Sequence, residues 1–298
     1  MEETEAGERI GKYRILHPLG KGGEGVVYLA EDTALGRQAA LKRLQREEEC
    51  GEEIKREAAF LRDLRHPMLP VVYDLIFEGS WYLAMEYIEG ISLHNYIKTG
   101  GGVDEEQACL WGEALLEVLI YLHTRETPVI YRDLKPDNIM VGRDGSLRLV
   151  DFGAAFLRSF GEKRKERAAW TAGFAAPEQQ GASGRKIYAD ERSDIYAFGR
   201  TLYYMVTGAD PGKPPYAALA PSVYNPLLSP GIERLIGHCT MEEPGERYQV
   251  AAEALRDLRE RGQWRKGSGK RGFLRHVEKQ ICLTQREGSC CLTGAIRL

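Results

Sequence analysis

The chain has 298 residues, 43% hydrophobic and 29% charged, with a formal net charge of −3. That is enough for one large domain or two lobes with a real core, in an ordinary soluble globular composition. No apolar run approaches the ~18 residues a membrane helix needs. The acidic start (Glu2, Glu3, Glu5, Glu8) is unlike a signal peptide, and the last residues hold no prenylation cysteine. Six cysteines (Cys50, Cys109, Cys239, Cys282, Cys290, Cys291) show neither CxxC pairing nor metal-ligand spacing. They read as reduced thiols in a cytoplasmic protein.

Charge is unevenly placed. Residues 262–298 carry eight basic side chains (Arg265, Lys266, Lys270, Arg271, Arg275, Lys279, Arg286, Arg297) against Glu278 and Glu287. The rest of the chain therefore carries a surplus of nine negative charges. A basic tail can touch an acidic surface or membrane weakly. Here Gly267-Ser268-Gly269 interrupts it, which fits a solvated extension better. Nothing calls for a nucleic-acid partner.

In chain order, residues 1–12 read as an N-terminal extension. Short apolar runs follow at Tyr13–Leu16, Val26–Ala30 and Gln38–Leu44, split by Gly and Asp as in an antiparallel meander. Residues 52–65 change period. Ile54, Ala58, Leu61 and Leu64 recur at helical spacing, and His66-Pro67 ends the helix. Val71–Tyr73 and Trp81–Met85 read as two more strands. The first part is thus a sheet of about five strands with one helix. After Glu86–Gly90 the pattern turns helical. The segment 104–124 starts at Asp104, a candidate N-cap with Gln107 in capping-box position, and carries the stripe Ala108, Trp111, Leu115, Leu119, Leu122. Ile139–Val141 and Leu147–Val150, joined at Asp144-Gly145, predict a hairpin. It would fold Asp151 back toward Asn138. Helical patterns resume at 192–207, 229–240 and 250–262.

The chemistry concentrates in Tyr131-Arg132-Asp133-Leu134-Lys135-Pro136-Asp137-Asn138. A carboxylate, an ammonium and an amide lie within six residues. The carboxylate can orient and accept the proton of an attacking hydroxyl. The ammonium can neutralise phosphate charge, and the amide oxygen can hold magnesium. Asp151-Phe152-Gly153, thirteen residues past Asn138, offers a second metal carboxylate. Upstream, Gly20-Lys21-Gly22-Gly23-Glu24-Gly25-Val26-Val27 fits G-x-G-x-x-G-x-V, where glycines let backbone N–H groups approach a phosphate. A dinucleotide fingerprint would need a helix next, and Val26–Leu29 is strand-like.

Together these motifs resemble the protein kinases, with wording close to the bacterial serine/threonine type. The resemblance runs from about residue 13 to 260. It implies an α+β, bilobal protein-kinase-like fold: a small antiparallel sheet lobe with one helix (about 13–87), and a larger, mainly helical lobe (about 88–262). Residues 263–298 are the basic tail. The resemblance also implies ATP bound between the lobes with Mg²⁺, and γ-phosphate transfer to Ser/Thr hydroxyls of protein substrates. Asp133 and Lys135 would be catalytic, with Asn138 and Asp151 holding metal. Lys42, in Ala39-Ala40-Leu41-Lys42, would bind the α- and β-phosphates, and Ala40 would lie against adenine.

Lys42 needs a carboxylate partner, for which Glu52, Glu53 and Glu57 compete. Glu57 is preferred because it stands ten residues before Pro67 beside Ala58 and Leu61; Glu53 is the fallback. Gly20, Lys21, Gly22, Gly23, Glu24, Gly25 and Val27 would cover the nucleotide. Met85 falls at the gatekeeper position, Glu86 and Ile88 in the hinge, and Met140 under adenine. Tyr131 replaces the family's usual histidine as a packing strut. Thr171-Ala172-Gly173-Phe174-Ala175-Ala176-Pro177-Glu178 resembles the segment ending in Ala-Pro-Glu, with Glu178 expected to pair with Arg247. Asp194 is expected to anchor the catalytic loop. Between Phe160 and Trp170 there is no Ser or Thr, so Ser159 and Thr171 are the loop's candidate phosphate acceptors. Two rivals stand beside this reading: a pseudokinase binding scaffold, and a small-molecule phosphotransferase of related fold.

Overall fold

In a computed structural model the described residues are 6–22, 25–44, 51–151, 156–157, 171–180, 189–213 and 219–261. They fall into two compact units. The first takes Met1–Ile91 with Ile139–Gly153, and the second Ser92–Asn138 with Ala154–Leu298.

The first unit is built on a six-stranded antiparallel sheet of order β1-β2-β3-β4-β6-β5. Its strands are β1 (Arg9–Ile10), β2 (Tyr13–Gly22), β3 (Gly25–Asp32), β4 (Arg37–Leu44), β5 (Val72–Phe77) and β6 (Trp81–Glu86). Period-two alternation puts Tyr28 and Ala30, Ala39 and Leu41, and Tyr82 and Ala84 on one buried face with Ile10, Tyr13 and Ile15. Helix α1 (Gly51–Asp63) packs against β5 and buries Ile54, Ala58 and Leu61, the helical period read from the sequence. β1 extends the sheet before residue 13, since Ile10 pairs with Tyr13. It is too short to leave a pattern in sequence.

The expected hairpin forms from β9 (Ile139–Gly142) and β10 (Leu147–Leu149), with Met140 opposite Arg148, and the short strand β7 (Gly90–Ser92) completes a three-stranded sheet of order β10-β9-β7. Gly145 takes φ +78° in its turn, a conformation glycine adopts without a Cβ penalty. The hairpin belongs to the first unit although some fifty residues separate it from the sheet. Leu149 N donates to Met68 O at 2.7 Å, and Arg148 bonds Glu86 at 2.5 Å. A boundary drawn along the chain at 87/88 therefore leaves part of this unit downstream.

The second unit is helical. Its elements are α2 (Leu93–Gly100), α3 (Glu105–His123), α4 (Glu191–Thr207), α5 (Pro221–Tyr224), α6 (Pro230–Cys239) and α7 (Ala251–Arg259), with the short strand pair β8 (Val129–Ile130) and β11 (Phe156–Leu157). The Asp104 carboxylate accepts from Gln107 N at 2.8 Å and starts α3 where the capping signal lies. The whole stripe from Ala108 to Leu122 is buried. Helix α3 packs on α4 and α7, and α4 on α6. Each fully buried leucine of α3 contributes ~1.5–3 kcal/mol from area alone. Among the described residues no helix is long and apolar enough to cross a membrane.

Candidate active site

In the first unit, sheet register assembles one face from the predicted nucleotide residues. Val27 is opposite Lys42, and Lys42 opposite Leu83. In the next row Leu29 is opposite Ala40, and Ala40 opposite Met85. Leu29 and Leu83 complete this face, although no motif marks either. Gly20 pairs with Val27, and Gly22 with Gly25, at the end of the ribbon where the chain passes from β2 to β3. Gly23 and Glu24 lie outside the described residues. The Lys42 side chain is only 6% exposed and its ammonium meets Asp151 Oδ1 at 2.5 Å. Asp151 keeps a third of its side chain open and takes φ +75°. Glu57 is half-buried on α1 between the buried Ile54 and Ala58. The Glu86 backbone N donates to Val71 O at 2.8 Å, while its carboxylate holds Arg148. Ile88 and Met140 are half-buried.

The second unit holds the other predicted residues, and here the side chains converge. Asp133 Oδ2 accepts from Lys135 Nζ at 2.7 Å and from Asn138 Nδ2 at 2.8 Å. Its Oδ1 accepts from Thr171 Oγ1 at 3.1 Å. Lys135 Nζ also donates to Thr171 Oγ1 at 2.9 Å. Asn138 Nδ2 reaches Asp133 O at 3.0 Å as well. Both amide protons of Asn138 thus serve Asp133, which leaves its carbonyl oxygen as a hard acceptor. Thr171, one of the two candidate phosphate acceptors, has its hydroxyl held by the Asp133 carboxylate and the Lys135 ammonium. A phosphate there would add negative charge beside Asp133. Ser159 lies outside the described residues, as do Phe152 and Gly153.

The loop carrying Asp133 is held from below by Asp194. This carboxylate, wholly buried on α4, accepts from Tyr131 N at 2.8 Å and Arg132 N at 2.7 Å. The ring of His123, at the end of α3, meets the same carboxylate at 2.9 Å. Arg132 sits at φ +68°, a conformation that costs a non-glycine residue ~1–3 kcal/mol. The two charge-assisted bonds from Asp194 offset that strain. Tyr131 is buried, as expected of a packing residue.

The segment Thr171–Gln180 is fixed by three further contacts. Arg247 and Glu178 form a buried bidentate pair at 2.7 and 2.8 Å. Arg247 also donates to the carbonyls of Arg192, Met241 and Glu242. All five guanidinium N–H groups are thereby used. Burial pushes the Glu178 carboxyl up, but Arg247 and the Ser193 hydroxyl outweigh it and hold the carboxyl below its ordinary value. Arg200 on α4 donates to Gly173 O at 2.7 Å. Gly173 takes φ +81°, and a Cβ there would lie 2.2 Å from Pro211 O. Gly173→Ala is accordingly expected to cost about 3 kcal/mol in urea denaturation, from strain plus clash. An unchanged midpoint would show that the Pro211 segment yields. The motifs point to Glu178, Arg247 and Asp194. They do not point to Ser193, Arg200, His123 or Gln179, which carry no local signal.

Comparison with known proteins agrees with this architecture. A family model for the protein kinase domain matches residues 13–251. Serine/threonine-protein kinase PrkC of Bacillus subtilis is 32% identical over 271 residues, covering 85% of this chain and 41% of PrkC. Serine/threonine-protein kinase PknB of Mycolicibacterium smegmatis is 32% identical over 270 residues, covering 83% of this chain and 42% of PknB. The chain thus spans about two fifths of the length of these relatives. The crystal structure of the Mycobacterium tuberculosis PknI kinase domain superposes with a TM-score of 0.69 at 23% identity, over 87% of this chain and all of that one. The fold is the expected α+β, two-lobed one, and the chain belongs to the protein kinase family, with bacterial serine/threonine kinases among its relatives.

Proposed function

We propose that the chain transfers the γ-phosphate of ATP to Ser and Thr hydroxyls of protein substrates. The observation that carries this reading is the convergence of Lys135, Asn138 and Thr171 on the Asp133 carboxylate, within 2.7–3.1 Å. The names of the bacterial relatives support the Ser/Thr class. Asp133 orients the acceptor hydroxyl and takes its proton. Lys135, already bonded to both Asp133 and Thr171, places positive charge where negative charge moves between phosphate and acceptor. Lys42 holds the nucleotide phosphates, with Glu57 as a second carboxylate beside Asp151. Val27, Ala40 and Met85 supply the apolar face for adenine, and Gly20–Gly25 the lid. The Glu86–Ile88 backbone supplies adenine's hydrogen bonds, with Met140 beneath it. Most of the rate comes from positioning and electrostatics, since this chemistry needs little covalent participation from protein.

The donors available for a metal fit Mg²⁺. Asn138 offers an amide oxygen whose N–H groups are already committed, and Asp151 a carboxylate one-third exposed. Both are hard oxygen ligands, the kind Mg²⁺ takes together with substrate phosphates. When bound, the cation neutralises charge on the β- and γ-phosphates. A cytoplasmic site of action goes with ATP as co-substrate.

The test is transfer of label from γ-labelled ATP to a generic protein substrate, followed by phosphoamino-acid analysis. The expected result is phosphoserine and phosphothreonine, dependent on Mg²⁺. Label appearing only in small metabolites would favour a small-molecule phosphotransferase. No transfer at any metal concentration would favour a binding scaffold.

A further inference from the structure

Gln179 sits half-buried in a short 3-10 turn, Pro177–Gln180, that follows Ala176. Both ends of its amide are used. Its Nε2 donates to Arg132 O at 2.9 Å, and its Oε1 accepts from Ala176 N at 3.0 Å. The partners fix the amide's orientation, because a backbone carbonyl can only accept and a backbone N–H can only donate. The bond to Arg132 spans 47 positions of sequence.

Arg132 is the residue immediately before Asp133 and stands at φ +68°. Its N–H is held by Asp194 Oδ1 at 2.7 Å and its carbonyl by Gln179. The carbonyl of Arg132 and the amide N of Asp133 belong to one planar peptide unit. Rotation of that unit would swing the Asp133 side chain. Asp194 restrains the strained residue from one side, and Gln179 restrains the peptide plane from the other. The same segment docks a second time through Thr171, whose hydroxyl reaches Asp133 Oδ1.

We infer that Gln179 is a positioning residue for Asp133: it locks the Arg132–Asp133 peptide plane so that the carboxylate keeps the direction needed to meet an acceptor hydroxyl. It also couples that direction to the ordering of the Thr171–Gln180 segment, so that the segment and the catalytic loop move together. This rests on the kinase reading above. Both amide bonds of the residue go to backbone groups, so its effect is expected on the chemical step rather than on ATP binding.

Two variants separate this role from simple space-filling. Gln179→Ala removes both bonds. Gln179→Glu keeps the shape and the acceptance from Ala176 N, but sets an acceptor against the Arg132 carbonyl. The expected result is a roughly tenfold fall in kcat for Ala and at least as large a fall for Glu, with KM for ATP within about twofold of wild type. Full activity of Gln179→Glu would overturn the proposal, since a packing role tolerates the isostere. Hydrogen exchange is the second measurement and needs no turnover. The peptide spanning residues 131–138 should exchange faster in Gln179→Ala while α3 stays as in wild type. Unchanged exchange there would also overturn the proposal. Wild-type chain that transfers no phosphate would overturn the kinase reading instead, with exchange still deciding the clamp.

Discussion

Asp133→Asn is expected to fold like the wild type and to lose ~10²–10⁴-fold in kcat, the range contributed by a positioned acid or base. The geometry explains why fold and chemistry separate. Asp133 accepts three side-chain hydrogen bonds, two at Oδ2 from Lys135 and Asn138 and one at Oδ1 from Thr171. An asparagine can keep its carbonyl oxygen toward Lys135 and Asn138. Its NH₂ then faces the Thr171 hydroxyl, which can accept and turn its own proton elsewhere. Nothing buried is left without a partner, so the melting temperature should stay within about 4 °C, equivalent to ~1 kcal/mol. The amide, however, cannot take the acceptor's proton. KM for ATP should change little, since Asp133 is not proposed to touch the nucleotide. Kinetics alongside thermal unfolding check this. Turnover within threefold of wild type would remove Asp133 from the catalytic role.

The largest stability effect is expected at Arg247. Arg247→Ala leaves Glu178 buried without its counter-charge and frees the carbonyls of Arg192, Met241 and Glu242. Breaking one side of a buried ion pair costs ~3–5 kcal/mol. For a domain of this size that lowers the melting temperature by roughly 10 °C. The pH dependence gives a sharper check. In the wild type Glu178 titrates below its ordinary value of 4.5 because of Arg247 and Ser193. Its carboxylate therefore stabilises the fold above that pH, and the contribution fades as pH falls through the lowered folded value. Without Arg247, burial, which favours the neutral acid, dominates. The variant then gains relative to wild type on acidification. The difference in melting temperature between the two proteins should narrow as pH drops from 7 toward 4. A constant difference would mean that the pair's charge contributes little and that the carbonyl bonds carry the effect. Replacing both partners by leucine should restore only part of the loss, because those carbonyls stay unpaired.

Elements with a local cause are legible in the amino-acid sequence. Helix α3 starts at Asp104 because a carboxylate there can accept from Gln107 N. Its apolar stripe is buried because 3.6-residue periodicity puts those residues on one side. The β9–β10 hairpin follows from Asp144-Gly145 between two apolar runs. The trio Asp133, Lys135 and Asn138 is legible for the same reason: six consecutive positions cannot lie far apart. Glu178–Arg247 and Asp194 follow from family resemblance, and the structure gives them the expected partners.

Other features have no local cause. Two residues suffice for β1, too few for an alternation to be read. The attachment of the 139–149 hairpin to the first unit rests on Leu149–Met68 and Arg148–Glu86 bonds across more than sixty positions. Gln179 belongs to the same class.

Residue types, spacings and periods are thus sufficient for the family, and they carry the motifs on which the proposed reaction rests. Each of these depends on what neighbouring residues can do within one turn, one strand or one loop. The direction in which Asp133 points is a different kind of fact. The bonds that hold its loop come from Asp194, Gln179 and Thr171, 38 to 63 positions away. Long-range hydrogen bonds form only once the helices and turns bearing them have packed. Their identity is therefore set by the assembled core rather than by any stretch of text around the motif.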